Sequence, residues 1–480
     1  MRKRGTENRK RRMRIGIFQD AFFPMIDGVI QVVDHYAREL QRYADVTVVV
    51  PEVPGQPFDD TKLPYRVLRC RAVRVPVLDY CLPMPLLDPA FLRELGRMRF
   101  DIVHIHSPFT LGLLGVHYAK LRGVPVIGTM HSQFRRDFQR AVKSRVLAQL
   151  LTRILIGTFR RCDECWAVNG AMARLYHEEY GYPSWPRVMR NATDMRPVGE
   201  LEEASRRAAG DAAVGAEHVD GRVDANTAVD VDAAENARHL AEQTFGLAPD
   251  EFVMLFVGRL NDLKNVFLIA RSLGIVKKRM EEERAKEECA KAERAKTSAG
   301  IGHGEDAPVS GMKFRMLFIG TGQDEAKLRA LIRKSEVEKE TVFAGRVADR
   351  GILAAAYARA DLFLFPSLYD ASSLVQIEAA SQGTPALYVQ GAVTADTVTV
   401  WDPAASKASG EPTGTIISAN GFIAENDPNA YAEAILAIMR DPEMLRQVGE
   451  NARRDLYVTW ESVAAEVYKR YLSVRKKRRL

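Results

Sequence analysis

Short apolar runs recur along this chain with amphipathic helical stretches between them, and that alternation predicts parallel sheets covered by helices on both faces. Residues 13–18 form the first run, and residues 20–28 make a loop ending in Asp27 and Gly28. Residues 29–43 then carry apolar side chains at helical spacing. Residues 46–50, 101–105, 124–128 and 164–168 read as further strands, the last leading toward a second series at residues 252–257, 315–319, 341–343, 361–365 and 384–389. Two α/β series predict two Rossmann-like domains. A helix from residue 462 to about 473 closes the pattern.

Three stretches break the rhythm. Residues 197–243 are rich in Ala, Asp, Glu and Gly with few aliphatic or aromatic side chains, which reads as an exposed insertion. Residues 277–296 are a run of Lys, Glu, Arg and Ala able to prolong a helix into solvent through charge pairs at helical spacing, before a loop at 300–311. A shorter Ser, Gly and Pro insertion at 404–413 precedes an apolar segment at Ile416. The organisation expected is a basic tail (1–12), a first domain (13–196), the low-complexity insertion (197–243), a second domain (244–455, with an insertion at 277–311), a C-terminal helix (456–474) and a second basic tail (475–480).

Composition suits a soluble two-domain protein, with 480 residues and 46% hydrophobic content. The net charge of +7 suggests a polyanion partner, but it is carried by the ends. Residues 1–14 hold eight Lys/Arg and one Glu, and residues 475–479 hold five cations, so tails of +7 and +5 leave about −5 for the body. Nucleic acid is therefore not an expected partner, whereas solvated tails or peripheral contact with an anionic membrane through them are. No apolar run is long enough to cross a bilayer and the basic start does not read as a signal peptide, so the expected location is the cytoplasm, including the inner face of its membrane. Five scattered cysteines argue for reduced thiols, which leaves the Asn191 sequon without meaning.

The segment FPSLYDASSLVQIEAASQGTPA, residues 365–386, carries the richest chemistry. A buried strand, a loop and a helix capped by Ser372 or Ser373 would place Asp370 and Glu378 around a helix N-terminus, whose unpaired N–H groups suit a diphosphate. A carboxylate aimed at a phosphate repels it, so the role open to Glu378 is to accept hydrogen bonds from sugar or ribose hydroxyls. After the first strand of the second series comes GRLNDLK, where Arg259 and Lys264 flank a turn at a strand's C-terminal end and can neutralise a departing diphosphate. Gly320 and Gly322 open a helix after a strand, a spacing that any tight turn can use. Residues 345–347 could line a base pocket. His131 follows a strand and could bond a donor sugar, or be structural. His104 and His106 share one face of their strand without a third metal ligand, Cys162 and Cys165 read as packing, and Asp230 with Asp232 falls in low-complexity sequence.

Taken together, FFPMIDGV at 22–29, DIVHIHSP at 101–108, TMH at 129–131, NATD at 191–194, GRLNDLK at 258–264, FIGTGQ at 318–323, FAGRV at 343–347 and the acidic segment, in this order, resemble the retaining nucleotide-sugar glycosyltransferases of the GT-B fold, the glycosyltransferase 4 family. The resemblance implies two facing Rossmann-like domains with a donor cleft between them and the C-terminal helix crossing back to the first. It implies catalytic roles for His131, Asp370, Arg259 and Lys264. It implies a donor site of Gly28, Gly258, Arg259, Lys264, Gly320, Arg346, Val347, Asp370, Ser373, Leu374, Val375 and Glu378. No cofactor or metal is implied, the donor nucleotide sugar (UDP- or GDP-linked) being a substrate and the acceptor a lipid, diacylglycerol-like, or a glycan. Asp370 stands where the family usually has Glu, and Ser373, Ala192 and Asn265 where it commonly has Gly. The alternatives are a non-catalytic binding protein on the same fold and an epimerase or phosphorylase.

Overall fold

The structure is a computed structural model that describes residues 11–74, 81–200, 225–296, 311–401 and 419–478. The chain divides into two compact units, Met1–Ala192 with Trp460–Leu480, and Thr193–Thr459.

In the first unit, β1 (Met13–Phe18), β2 (Ala44–Pro51), β3 (Arg66–Cys70), a small hairpin of β4 (Ala72–Arg74) and β5 (Cys81–Pro83), β6 (Ile102–Ile105), β7 (Val126–Met130), β8 (Glu164–Ala167) and β9 (Arg187–Val188) follow in chain order. All but the hairpin form one parallel sheet in the order β3-β2-β1-β6-β7-β8-β9. Strand order reverses between β1 and β6, which makes their C-terminal ends the switch point of this sheet. The helix Trp460–Lys477 belongs to this unit. Trp460 meets Tyr36, Tyr468 stacks on Tyr43 and Arg470 Nε donates to Glu164 Oε1 at 2.7 Å, so aromatic burial and a charged bond fix it in place.

The second unit repeats the plan with β10 (Glu251–Val257), β11 (Lys313–Ile319), β12 (Thr341–Gly345), β13 (Leu362–Phe365), β14 (Ala386–Val389), β15 (Val400–Trp401) and β16 (Gly421–Ala424). Their order is β12-β11-β10-β13-β14-β16-β15, all parallel. The switch point lies between β10 and β13. The helix Val266–Lys296 extends through the charged run as its pairing suggested, with Lys278–Glu282 and Arg284–Glu288 bridges one turn apart.

One stretch departs from its composition. Residues 225–245 form a helix, Ala225–Phe245, inside what reads as an exposed insertion. Its Ala233, Ala237 and Ala241 recur every fourth residue and are buried, Ala237 and Ala241 packing against Ala355 of the helix Arg350–Arg359. Arg359 locks the pair by donating to Glu242 at 2.8 Å. Alanine carries too little apolar surface to signal a core, yet it is the best helix former and lets two helices approach closely. The side chains of Asp230 and Asp232, the loop at 300–310, the insertion at 404–413, Ile416 and the outermost residues of both tails lie outside the described residues.

Candidate active site

The loops after β10 and β13 converge because their strands are neighbours. After β10 the backbone turns at Gly258, with φ of 155°, into Arg259, and Leu260 is fully buried beneath the turn. Asn261 Oδ1 accepts from Lys264 N at 3.2 Å and caps the short turn Asp262–Lys264. Asn265 then adopts the left-handed conformation, φ 56°, that a family glycine would supply, and asparagine is among the few residues that do so cheaply. Its Nδ2 donates to Pro366 O at 3.2 Å, tying the β10 loop to the β13 loop. From the β13 side, Ser367 Oγ accepts from the N–H of Tyr369 and Asp370.

This scaffold brings Lys264 and Asp370 together. The ammonium donates to both carboxylate oxygens, at 2.6 and 2.7 Å, with the side chains 18% and 16% exposed. The one-methylene-shorter Asp370 therefore still reaches across the switch point. Arg259 is exposed beside this turn. The helix Leu374–Ser381 begins at Ser373, which has extended dihedrals but makes no side-chain cap bond. The first-turn N–H groups of any helix lack intrahelical partners, so this end retains its capacity for an anion. Leu374 and Val375 form that first turn and are half-buried.

The equivalent position in the first unit is already filled. Asp20 accepts from Leu111 N at 2.7 Å and Gly112 N at 3.4 Å, at the start of the helix Thr110–Arg122, and from Ser107 Oγ. Burial raises the Asp20 carboxyl pKa even against these bonds. A protein carboxylate thus occupies the helix N-terminus at the switch point of the first unit.

Glu378 has different company from that which its sequence position suggests. It is buried and accepts from Arg350 Nη1 at 2.8 Å and from Tyr357 OH at 3.2 Å, while Arg350 also bonds Asp194. Burial disfavours the Arg350 cation, but Glu378 and Asp194 outweigh it and its pKa rises. Sequence reading missed Arg350. A signal existed, since an arginine directly after the N-cap Asp349 opposes the helix dipole and needs another reason to be there.

Gly320 and Gly322 have packing reasons. A Cβ on Gly320 would sit 2.0 Å from Gly258 O, and one on Gly322 2.1 Å from Leu260 O, so these glycines let the β10 and β11 loops touch. Arg346 is exposed and Val347 partly buried after Gly345, φ 65°. Gly28 lies in the first unit at the start of the helix Gly28–Leu40, where a Cβ would meet nothing within 4 Å. The fold does not demand glycine there.

His131 also lies in the first unit, beyond β7. Its Nε2 shares a 2.9 Å hydrogen bond with His106 Nδ1, and burial lowers its pKa to about 3. His104 and His106 are likewise held neutral, chiefly by burial, and His104 bonds Thr129 and Tyr471, each at 2.6 Å. His106 and His131 thus bond each other, and His104 bonds Thr129 and Tyr471. Cys162 and Cys165 are free thiols packed near Phe159, Cys165 Sγ donating to its carbonyl at 3.3 Å.

Two parallel Rossmann-like units with a charged switch point define a GT-B glycosyltransferase architecture, and comparison with known proteins places the chain within it. The family description "Glycosyltransferase Family 4" matches residues 26–196 and "Glycosyl transferases group 1" matches residues 305–455, together about two thirds of the sequence. The chain belongs to the GT-B glycosyltransferases of the family 4 type. It is similar to alpha-monoglucosyldiacylglycerol synthase of Acholeplasma laidlawii, 28% identical over 142 residues, a match spanning 29% of this chain and 34% of that protein. Its likeness to the Streptococcus pneumoniae synthase of the same name is 21% over 393 residues, 78% of this chain and 70% of that protein. Among solved structures, sucrose-phosphate synthase from Thermosynechococcus elongatus superposes with a TM-score of 0.62 at 16% identity, over 97% of this chain and all of that one.

Proposed function

We propose that the protein transfers a glycosyl group, with retention, from a UDP- or GDP-linked sugar to a lipid or glycan acceptor. The observation that carries this reading is the Lys264–Asp370 pair beside exposed Arg259 and the uncapped start of the helix Leu374–Ser381. A donor diphosphate lying on that helix end would meet N–H groups and two cations. As the bond from the sugar C1 to the diphosphate oxygen breaks, its electron pair stays on the diphosphate, where Arg259 and Lys264 offset the growing charge. The acceptor hydroxyl oxygen bonds to C1 on the same face, and its proton passes to the departing diphosphate oxygen. Asp370 holds the Lys264 ammonium in place for this step. Glu378, with two bonds already made, keeps lone pairs for ribose hydroxyls, and Arg350 fixes its orientation. His131, neutral at physiological pH, offers a hydrogen bond to the donor sugar rather than a charge.

A glycerolipid acceptor is supported by the names of the two bacterial synthases, a glycan acceptor by the breadth of the fold. The test is a thermal-shift screen of UDP-, GDP- and ADP-sugars followed by transfer assays, since a ligand that binds the folded state raises the melting temperature by mass action. Stabilisation by at least one donor, lost in Lys264→Ala, is expected. A protein that binds none of them is a scaffold on this fold, and the proposal fails.

A further inference from the structure

His104 and His106 share one face of β6 and its end, and His131 follows the neighbouring strand β7. All three are buried. The ring of His106 is held from several sides. His104 lies 4.1 Å from it, centroid to centroid, and Tyr36 meets it at 5.4 Å with the planes 80° apart. His104 is anchored in turn through both its nitrogens, to Thr129 on β7 and to Tyr471 on the helix Trp460–Lys477. Against His131 the planes differ by 18°, the centroids are 5.1 Å apart and the bonded nitrogens 2.9 Å apart, so these two rings meet edge to edge.

Histidine is a costly way to fill such a place, because aliphatic side chains pack there without polar groups to desolvate. The pairing has a use beyond packing. Burial keeps both rings neutral, so each has one N–H and one bare nitrogen. A single proton lies between His106 Nδ1 and His131 Nε2. If His106 Nδ1 carries it, His131 Nε2 is bare and the proton of His131 is on its own Nδ1. If His131 Nε2 carries it, the proton of His106 is on its own Nε2. Either way the two rings are protonated on the nitrogen of the same name, and His131 Nε2 is taken. What His131 can offer a ligand is Nδ1, and His106 sets whether that atom donates or accepts. A polar group of fixed direction and fixed hydrogen-bonding sense is organised before its ligand arrives.

We infer that His106 is a positioning residue for His131, taking its Nε2 so that Nδ1, in one fixed tautomer, bonds a hydroxyl of the donor sugar, an assignment that rests on the transfer reaction proposed above.

The test is long-range proton–nitrogen NMR of the full chain labelled with 15N histidine, its nine histidines assigned by single substitutions. Wild type is compared with His106→Leu, which removes the bond, and His106→Asn, whose amide stands near the place of Nδ1 and can donate or accept. In wild type, His106 and His131 should be protonated on the nitrogen of the same name. In His106→Leu the His131 signals should move toward the average of two exchanging tautomers, without a fall in melting temperature. Adding UDP-glucose or GDP-mannose, whichever binds, should shift His131 Nδ1, and the matching nucleoside diphosphate alone should not. Transfer kcat/KM should fall about tenfold in His106→Leu, the worth of one hydrogen bond, and be largely restored in His106→Asn, a rescue that a merely space-filling residue would not show. Rings protonated on nitrogens of different name, His131 signals unmoved in His106→Leu, a bound donor that leaves Nδ1 unshifted, or wild-type transfer by His106→Leu would each overturn the inference. A protein that binds no nucleotide sugar defeats the proposed transfer reaction and with it the sugar contact, whereas the tautomer signals report on the histidine pair by themselves.

Discussion

Removing Lys264 should harm donor binding more than the loss of one cation explains, and removing Asp370 as well should recover part of the loss. In Lys264→Ala the Asp370 carboxylate loses the ammonium that donates to it at 2.6 and 2.7 Å, so more of its charge faces the diphosphate. Unit charges 4 Å apart attract by about 4 kcal/mol at an effective dielectric constant of about 20. With both side chains about one-sixth exposed, water screening and desolvation reduce that toward a coupling of about 1–3 kcal/mol, between the values for surface and buried pairs. Lys264→Ala should therefore weaken nucleoside diphosphate binding by about 2 kcal/mol or more, some thirtyfold, and Lys264→Ala/Asp370→Asn should recover about tenfold of it. Isothermal titration calorimetry on wild type, both single variants and the double variant gives the coupling, with urea unfolding as a parallel measure. Effects that add to within about 0.5 kcal/mol would refute the idea that the pair acts as one unit at the anion site.

Arg350→Ala leaves the buried Glu378 carboxylate with Tyr357 as its remaining described side-chain donor, so stability should fall by about 2 kcal/mol and the donor KM should rise more than kcat falls; an unchanged KM would dissociate Glu378 from ribose binding. Burial depresses the pKa of His104, His106 and His131, so below the unfolded value of about 6.5 the unfolded chain takes up protons that the folded one does not. Their stabilisation is complete above that pH and is lost as pH falls, for His131 down to about 3, with a slope of up to about 1.4 kcal/mol per pH unit each. Urea midpoints at pH 7 and pH 5 should differ more in wild type than in His131→Asn, and equal differences would contradict the assignment. Gly320→Ala should destabilise strongly, by about 2 kcal/mol or more, because its Cβ would strike Gly258 O at 2.0 Å and its φ is 130°. Gly28→Ala should leave stability almost unchanged, so any loss of transfer there reports a ligand at the backbone.

Much of the fold was legible because buried parallel strands announce themselves as apolar runs. The strands β1, β2, β6, β7 and β10 to β14 fall where the pattern puts them to within a few residues. The edge elements β3, β9 and β15 and the β4–β5 hairpin were not legible, since such short segments, interrupted by polar residues or turns, carry little periodic signal. The helix Ala225–Phe245 was hidden by the weak apolar signature of alanine. At the site, motif order located Arg259, Lys264 and Asp370, but sequence cannot show that a lysine and an aspartate 106 residues apart share two hydrogen bonds. Nor could it show that Arg350 and Tyr357 converge on Glu378, or that Asp20 fills the first unit's helix end; such contacts depend on which strands become neighbours.

The central claim is that this chain moves a sugar from a nucleotide diphosphate, with Lys264 serving the departing phosphate. The most direct measurement follows the anomeric proton by NMR during transfer from the donor chosen by the thermal-shift screen, with wild type and Lys264→Ala side by side. The account predicts a product with the donor's anomeric configuration, formed by wild type and slowed at least a hundredfold in the variant. An inverted product, or equal rates for the two proteins, would contradict it.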